Sequence, residues 1–357
     1  MTISTLHGGF VFAKQRLITA QETDSDFLEA TKQAPVSAGL EEFGLYYLNR
    51  MSFHEVGGLL ERRCGPGLAC EQTLWNWALQ KALEIDTRLA DEVQACQKLP
   101  FPQIQTQVDI YSKEAEEVLV LTDAIGVKSQ KPTREKPGEP SLPKEAQRHD
   151  TDVLLLEQTD GEFVYLMGST DETVSLVSAA AARLRRDWGN RDTPLPVVAL
   201  TDGARSIRRD LTALFGPEVT IILDWYHLEK RVYEHLAMMA HSKSEREEWE
   251  RSVLGFLWQG KVAEAVGSVG GLSVRNEEKR AELLGYLEKH AGEIIDYSRR
   301  KATGKWVGSG CMEKAVDQVI GIRQKKKGMS WTEQGSRTLA QLKIAELNGQ
   351  WEQLFAA

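Results

Sequence analysis

Apolar runs that stop at an aspartate are the most regular feature of the chain. "EVLVLTD" ends at Asp123, "PVVALTD" at Asp202 and "VTIILD" at Asp224. Short, β-branched-rich apolar runs bounded by turn residues predict buried strands. "DVLLLEQTDGEFVYLMG" places two further strands around "TDG", a hairpin signal. "DETVSLVSAAAARLRRDWG" has the spacing of an amphipathic helix stopped by Gly189, and "DGARSI" opens another that runs through Leu214. The order β, ββ, α, β, α, β predicts a mixed α/β sheet. From Leu228 to about Arg300 no strand pattern occurs, so an all-helical segment is expected there.

Upstream, residues 1–44 carry no strong periodicity and form a peripheral N-terminal segment. Leu45 to Gln94 is helical in pattern. Ser52 with Glu55 three residues on is a capping box, and Gly65 and Pro66 stop that helix. "ACEQTLWNWALQKALE" starts a second. Two helices around a glycine-containing break fit a helix-turn-helix, in which Gln72, Thr73 and Asn76 would reach for DNA, or an ordinary αα-hairpin. "KSQKPTREKPGEPSLPKEAQRHD" is a long exposed loop by composition.

Composition narrows the class. With 357 residues, 41% of them hydrophobic and 27% charged, the chain can bury a sizeable core. No run of 18 apolar residues occurs and the N-terminus lacks a secretory pattern, so a cytoplasmic protein with no membrane partner is expected. Cys64, Cys70, Cys96 and Cys311 have neither metal spacing nor a disulfide framework. A net charge of -8 argues against a dedicated nucleic-acid coat. Between Asp296 and Gly328, however, nine Lys/Arg face three acids. Such a patch either binds phosphates or is a solvated helix end.

Three strand-end acids change the picture most. Each alone fits a helix N-cap. Together on one rim they would repel unless a cation sat among them, and magnesium is the hard ion that takes oxygen ligands. A further acid comes from "GSGCMEKAVDQVIG". There Glu313 lies in the first turn of a helix, at the edge of a stripe formed by Val316 and Ile320, where the helix dipole alone would also favour it.

The strings "VLTDAIGV", "ALTDGARSI", "ILDWYH" and "GSGCMEKAVDQVIGIRQKKKGMSW", in that order, resemble the DDE transposases of bacterial insertion sequences, with the closest likeness to the ISKra type of the Mutator-like superfamily. The resemblance covers roughly residues 45–350. It implies a ribonuclease-H-like catalytic core, 110–227 and 305–357, interrupted by a helical insertion, 228–304, and preceded by a helix-turn-helix-like region, 45–100. It implies Asp123, Asp202 and Glu313 as catalytic and metal-holding acids, with Mg2+ or Mn2+ as the ion. Ala124 replaces the glycine usual after the first acid. Asp109 in "TQVDIYS" is rejected because no apolar run leads into it. "DWYH" matches the family's Asp-x-x-His signature, which sets Asp224 and His227 beside the acids and implies both as members of the catalytic set. Arg323, Lys325, Lys326 and Lys327 follow Glu313 and are expected on the DNA backbone.

The implied activity is metal-assisted cleavage and strand transfer at element ends, on double-stranded DNA, in a bacterial cytoplasm, by a homo-oligomer. A nuclease of the same fold that cuts without joining, and a shortened inactive DNA-binding remnant, are the alternatives.

Overall fold

The computed structural model describes residues 2–5, 8–11, 36–130 and 148–356. Most of the expected peripheral segment and of the Lys/Pro-rich loop lies outside the described residues. A two-stranded antiparallel ribbon, β1 (Thr2–Thr5) and β2 (Gly8–Val11), comes first. Helices α1 (Ala38–Leu48), α2 (Phe53–Cys64) and α3 (Glu71–Cys96) follow. The Ser52–Glu55 capping box opens α2, and Gly65 closes it with φ 102°, a conformation that favours glycine.

The centre is a five-stranded mixed sheet of β3 (Val118–Lys128), β4 (Arg148–Glu157), β5 (Phe163–Leu166), β6 (Val197–Thr201) and β7 (Thr220–Leu223), in the order β5-β4-β3-β6-β7. β3, β4 and β5 form an antiparallel meander, while β6 and β7 run parallel to β3. Gly161, with φ 83°, sits in the expected hairpin turn between β4 and β5. Helix α4 (Leu176–Trp188), capped by Ser175, connects β5 to β6, and α5 (Arg205–Phe215) connects β6 to β7.

Alternation along the strands gives each sheet face its own core. Val118, Val120, Val197 and Ala199 pack with α4 and α5 on one face. Leu119, Leu121, Leu200 and Ile222 point to the other. There they meet α6 (Trp225–Met239), α11 (Gly310–Val316) and α13 (Glu333–Leu347). Between α6 and α11 the chain is helical, through α7 (Lys243–Trp258), α8 (Val262–Gly270), α9 (Glu277–Lys289) and α10 (Tyr297–Ala302). Leu339 and Leu342 of α13 also join the separate core of α1–α3, tying the N-terminal helices to the end of the chain.

Three expectations need correction. β3 does not stop at Asp123. Its antiparallel pairing with β4 continues to Lys128, so the strand runs on after its parallel pairing with β6 has ended at Leu121. The segment after Glu313 is not one α-helix: Asp317–Gly321 is a π-turn, succeeded by the short α12 (Ile322–Gln324). A π-turn inserts extra backbone into a helix and rotates the next turn about the axis. Arg323 is therefore turned inward. It is 2% exposed, donates from Nε to Leu48 O at 2.7 Å and lies 4.9 Å from the Trp331 ring, so it is a packing residue rather than a surface cation.

Candidate active site

The strand register brings the acids into a row. Leu121 pairs with Leu200, and Thr201 pairs with Leu223. Continued along the strands, that register sets Asp123 level with Asp202, and Asp202 level with Asp224. All three fall on the parity of Leu121, Leu200 and Ile222, the face that α6 and α11 cover. Asp123 is half-buried inside β3 and accepts from the Ala124 N–H at 2.8 Å. Asp202 follows β6 and accepts from the Ala204 N–H at 2.8 Å, which turns the chain into α5.

Asp224 is wholly buried and is the N-cap of α6. Its Oδ1 accepts from the His227 N–H at 2.9 Å and faces the His227 Nδ1 at 3.2 Å; its Oδ2 accepts from the Ser309 N–H. The Trp225 N–H donates to Val307 O at 3.1 Å. The start of α6 thus grips the 307–309 loop at two points, and that loop delivers α11. Glu313 stands in the first turn of α11, which packs against β3.

Electrostatics links the same groups. Burial pushes the Asp123 carboxyl above the usual carboxylate range, and the Asp202 and Glu313 carboxylates push the same way against the Ala124 N–H and the His227 imidazole. The hydrogen bond to Asp224 raises His227 above its ordinary value despite burial, helped by the charges of Asp224, Asp123 and Asp202. Burial alone would raise Asp224, but the bonds from His227 and Ser309 outweigh it and hold that carboxyl low. Asp202, Glu313 and His227 therefore all act on Asp123, and Asp202 acts on His227 as well.

The donor set is of the kind a hard divalent cation takes, all carboxylate oxygen. Among the described residues no group of three His, Cys, Asp or Glu closes around a single ion position.

The other expected residues lie elsewhere. Gln72 and Asn76 are exposed at the start of α3 and bond to each other at 2.9 Å; Thr73, half-buried, faces the Cys70 thiol. Lys325, Lys326 and Lys327 are exposed just past α12. The basic patch is thinner than its count. Arg300 is fully buried on Glu117, and Lys305 joins that pair at 3.0 Å. Asp109 is a loop residue that accepts from the Tyr111 N–H at 3.0 Å. Spacing alone did not point to His290 and Glu293 of the helical segment, which abut Gly203 and the end of β7. The only local signal was the glycine after Asp202.

The family described as "Uncharacterised protein family (UPF0236)" matches residues 157–354. The chain belongs to that family. The match takes in β5–β7, every helix from α4 to α13, and Asp202, Asp224, His227 and Glu313; Asp123 lies outside it. No curated protein matches this UPF0236 chain. Among solved structures, the Drosophila P element transposase strand transfer complex aligns at 11% identity over 94% of this chain and 84% of that one, with a TM-score of 0.27. That likeness is too slight to bear on fold or function.

Among the described residues no helix is long and apolar enough to cross a membrane.

Proposed function

We propose that this UPF0236 chain is a DDE-type transposase, cutting and joining double-stranded DNA at the ends of an insertion sequence. The observation that carries the proposal is the register that sets Asp123 of β3 level with Asp202 and Asp224, each just past the end of its parallel strand, with Glu313 acting on Asp123. The layout of the sheet, with a helical stretch between β7 and the last acid, matches the ribonuclease-H-like core that the motif resemblance implies. In this proposal residues 110–227 and 305–357 are the catalytic core, 228–304 is its insertion, and 45–100 is a DNA-binding region.

Asp123, Asp202 and Glu313, which do not close around one ion position as they stand, are the residues that would hold Mg2+ or Mn2+ in this proposal. When bound, the ion supplies Lewis-acid activation and neutralises charge on the phosphate. The chain's own residues supply position. Asp224 is a positioning residue: its carboxylate fixes the 307–309 loop, and with it Glu313, against the sheet. His227, whose hydrogen bond to Asp224 raises its affinity for a proton, faces the acids and suits a phosphate oxygen. Lys325, Lys326 and Lys327 offer charge to a DNA backbone, with Gln72, Thr73 and Asn76 on a second surface, and two element ends would call for a homo-oligomer.

The test is cleavage of labelled duplexes taken from the DNA flanking the gene. Asp202→Asn should lower cleavage by about 10²–10³-fold or more, the scale of losing one group that stabilises transition-state charge. Cleavage untouched by that change, or equal in chelator, sinks the proposal. Cutting without joining of a 3′-hydroxyl end would make the chain a nuclease using the same acids.

A further inference from the structure

The helical segment presses one loop onto the end of the acid row. His290, 1% exposed, follows α9, and its Nδ1 lies 2.7 Å from Glu293 Oε2. The other Glu293 oxygen pairs with Arg208 of α5. The backbone of the same loop closes on the sheet, because the Leu223 N–H donates to Glu293 O at 2.9 Å. Gly203, directly after Asp202, has φ 82°. A Cβ there would lie 2.7 Å from His290 Cε1 and 3.0 Å from Leu223 Cδ1. The glycine therefore serves more than a turn: it lets a braced imidazole stand against the Asp202 loop.

Beside that contact opens a cleft of about 410 Å³, whose walls include Asp202, His227 and His290. Lys230 and Arg231 of α6 and Lys289 of α9 also line it. Among the described residues none of these three cations takes part in a salt bridge. Arg231 rests over the Tyr286 ring at 5.5 Å. Glu234 is the other acid on the wall. Cations that converge on a concave surface repel one another and raise the local concentration of anions. Asp202 and His227 belong to both the cleft and the acid row, so an occupant of the cleft extends to the acids.

We propose that this cleft seats a phosphate ester, that of a polynucleotide backbone adjoining the phosphate on which the acids act. Lys230, Arg231 and Lys289 supply the charge, and His290, braced by Glu293, forms the floor. The inference rests on the function proposed above and adds the helical segment to the DNA-holding surface.

The experiment uses the full chain in chelator, so that nothing is cut, and a fluorescein-labelled duplex monitored by anisotropy across a salt series. The three cations are exposed, so the combined variant Lys230→Ala, Arg231→Ala, Lys289→Ala should melt like the parent. Each phosphate contact contributes about 0.9 to the slope of log affinity against log salt. The variant is expected to lose about 2–3 from that slope and at least ~10-fold in affinity at low salt. An unchanged slope and affinity overturns the proposal. Weakened binding of a labelled mononucleotide, with duplex binding unchanged, assigns the cleft to a free nucleotide and overturns the backbone seat. Binding is read in chelator, where nothing is cut, so cleavage that survives Asp202→Asn would sink the catalytic proposal while leaving this result readable by itself.

Discussion

Asp224 accepts from the His227 N–H, the His227 ring and the Ser309 N–H, with none of its surface exposed. Replacement by Asn keeps one carbonyl oxygen for the cap. The new amide, however, must face either the Ser309 N–H or the His227 N–H, donor against donor. A buried donor left without an acceptor costs about 1–3 kcal/mol. Asp224→Asn is expected to destabilise by that amount in urea unfolding at pH 7. The depressed Asp224 value sets the sign with pH. A carboxyl held low in the folded state contributes stability that is present above its unfolded value, about 3.9, and is lost as pH falls through the folded value. The gap between parent and variant should therefore shrink as pH drops below about 4. A gap that persists unchanged into acid would mean that the carboxylate charge does not hold the Ser309 loop.

At the scale of elements, the parts legible in the sequence were those that neighbours do not alter. The short parallel strand β6 is buried on both faces and β7 over its last two residues, so their apolar runs mark their ends, and Asp202 and Asp224 fall where the pattern sets them. β3 differs because its last five residues, Ala124–Lys128, are a strand only through their partner β4. The 3.6-residue period carried Glu313 onto the right face but failed four residues later, at the π-turn. Arg323 then turned from an expected DNA contact into a buried residue. His290 was invisible because nothing local to it marks contact with Gly203. Long-range ion pairs share that opacity. Glu117, just before β3, holds fully buried Arg300 at 2.6 Å and Lys305 at 3.0 Å, joining the end of the helical segment to the sheet. Removing one partner of a buried pair leaves an uncompensated charge and costs about 3–5 kcal/mol. Glu117→Ala is expected to destabilise within that range by chemical unfolding, with Arg300→Met milder because the Glu117 carboxylate it leaves behind keeps Lys305 as its partner. Equal losses from the two changes would contradict the pairing argument.

Across the whole molecule, a chain with a net charge of -8 gathers carboxylates on one sheet face and sets beside them His227, whose proton affinity they raise. Burial first, then Asp202 and Glu313, raises Asp123. For a carboxyl raised on folding, the folded state holds its proton more tightly than the unfolded state. Stability therefore falls as pH climbs past the unfolded value of about 3.9 and levels off above the folded one. Above that window Asp123 is a net load on the fold. Asp123→Asn removes the charge while its amide oxygen can still accept from the Ala124 N–H. In chelator at pH 7.5 this variant should melt higher than the parent, by about 1–3 °C. Added Mg2+ should reverse the order: an ion that binds only the folded chain stabilises the parent by mass action, and the variant has lost one of its donors. Calorimetry of both proteins, with and without the ion, checks this. A lower midpoint for Asp123→Asn in chelator would show that the acids do not repel across the row. An equal Mg2+ response in both proteins would show that Asp123 is not one of the residues that hold the ion.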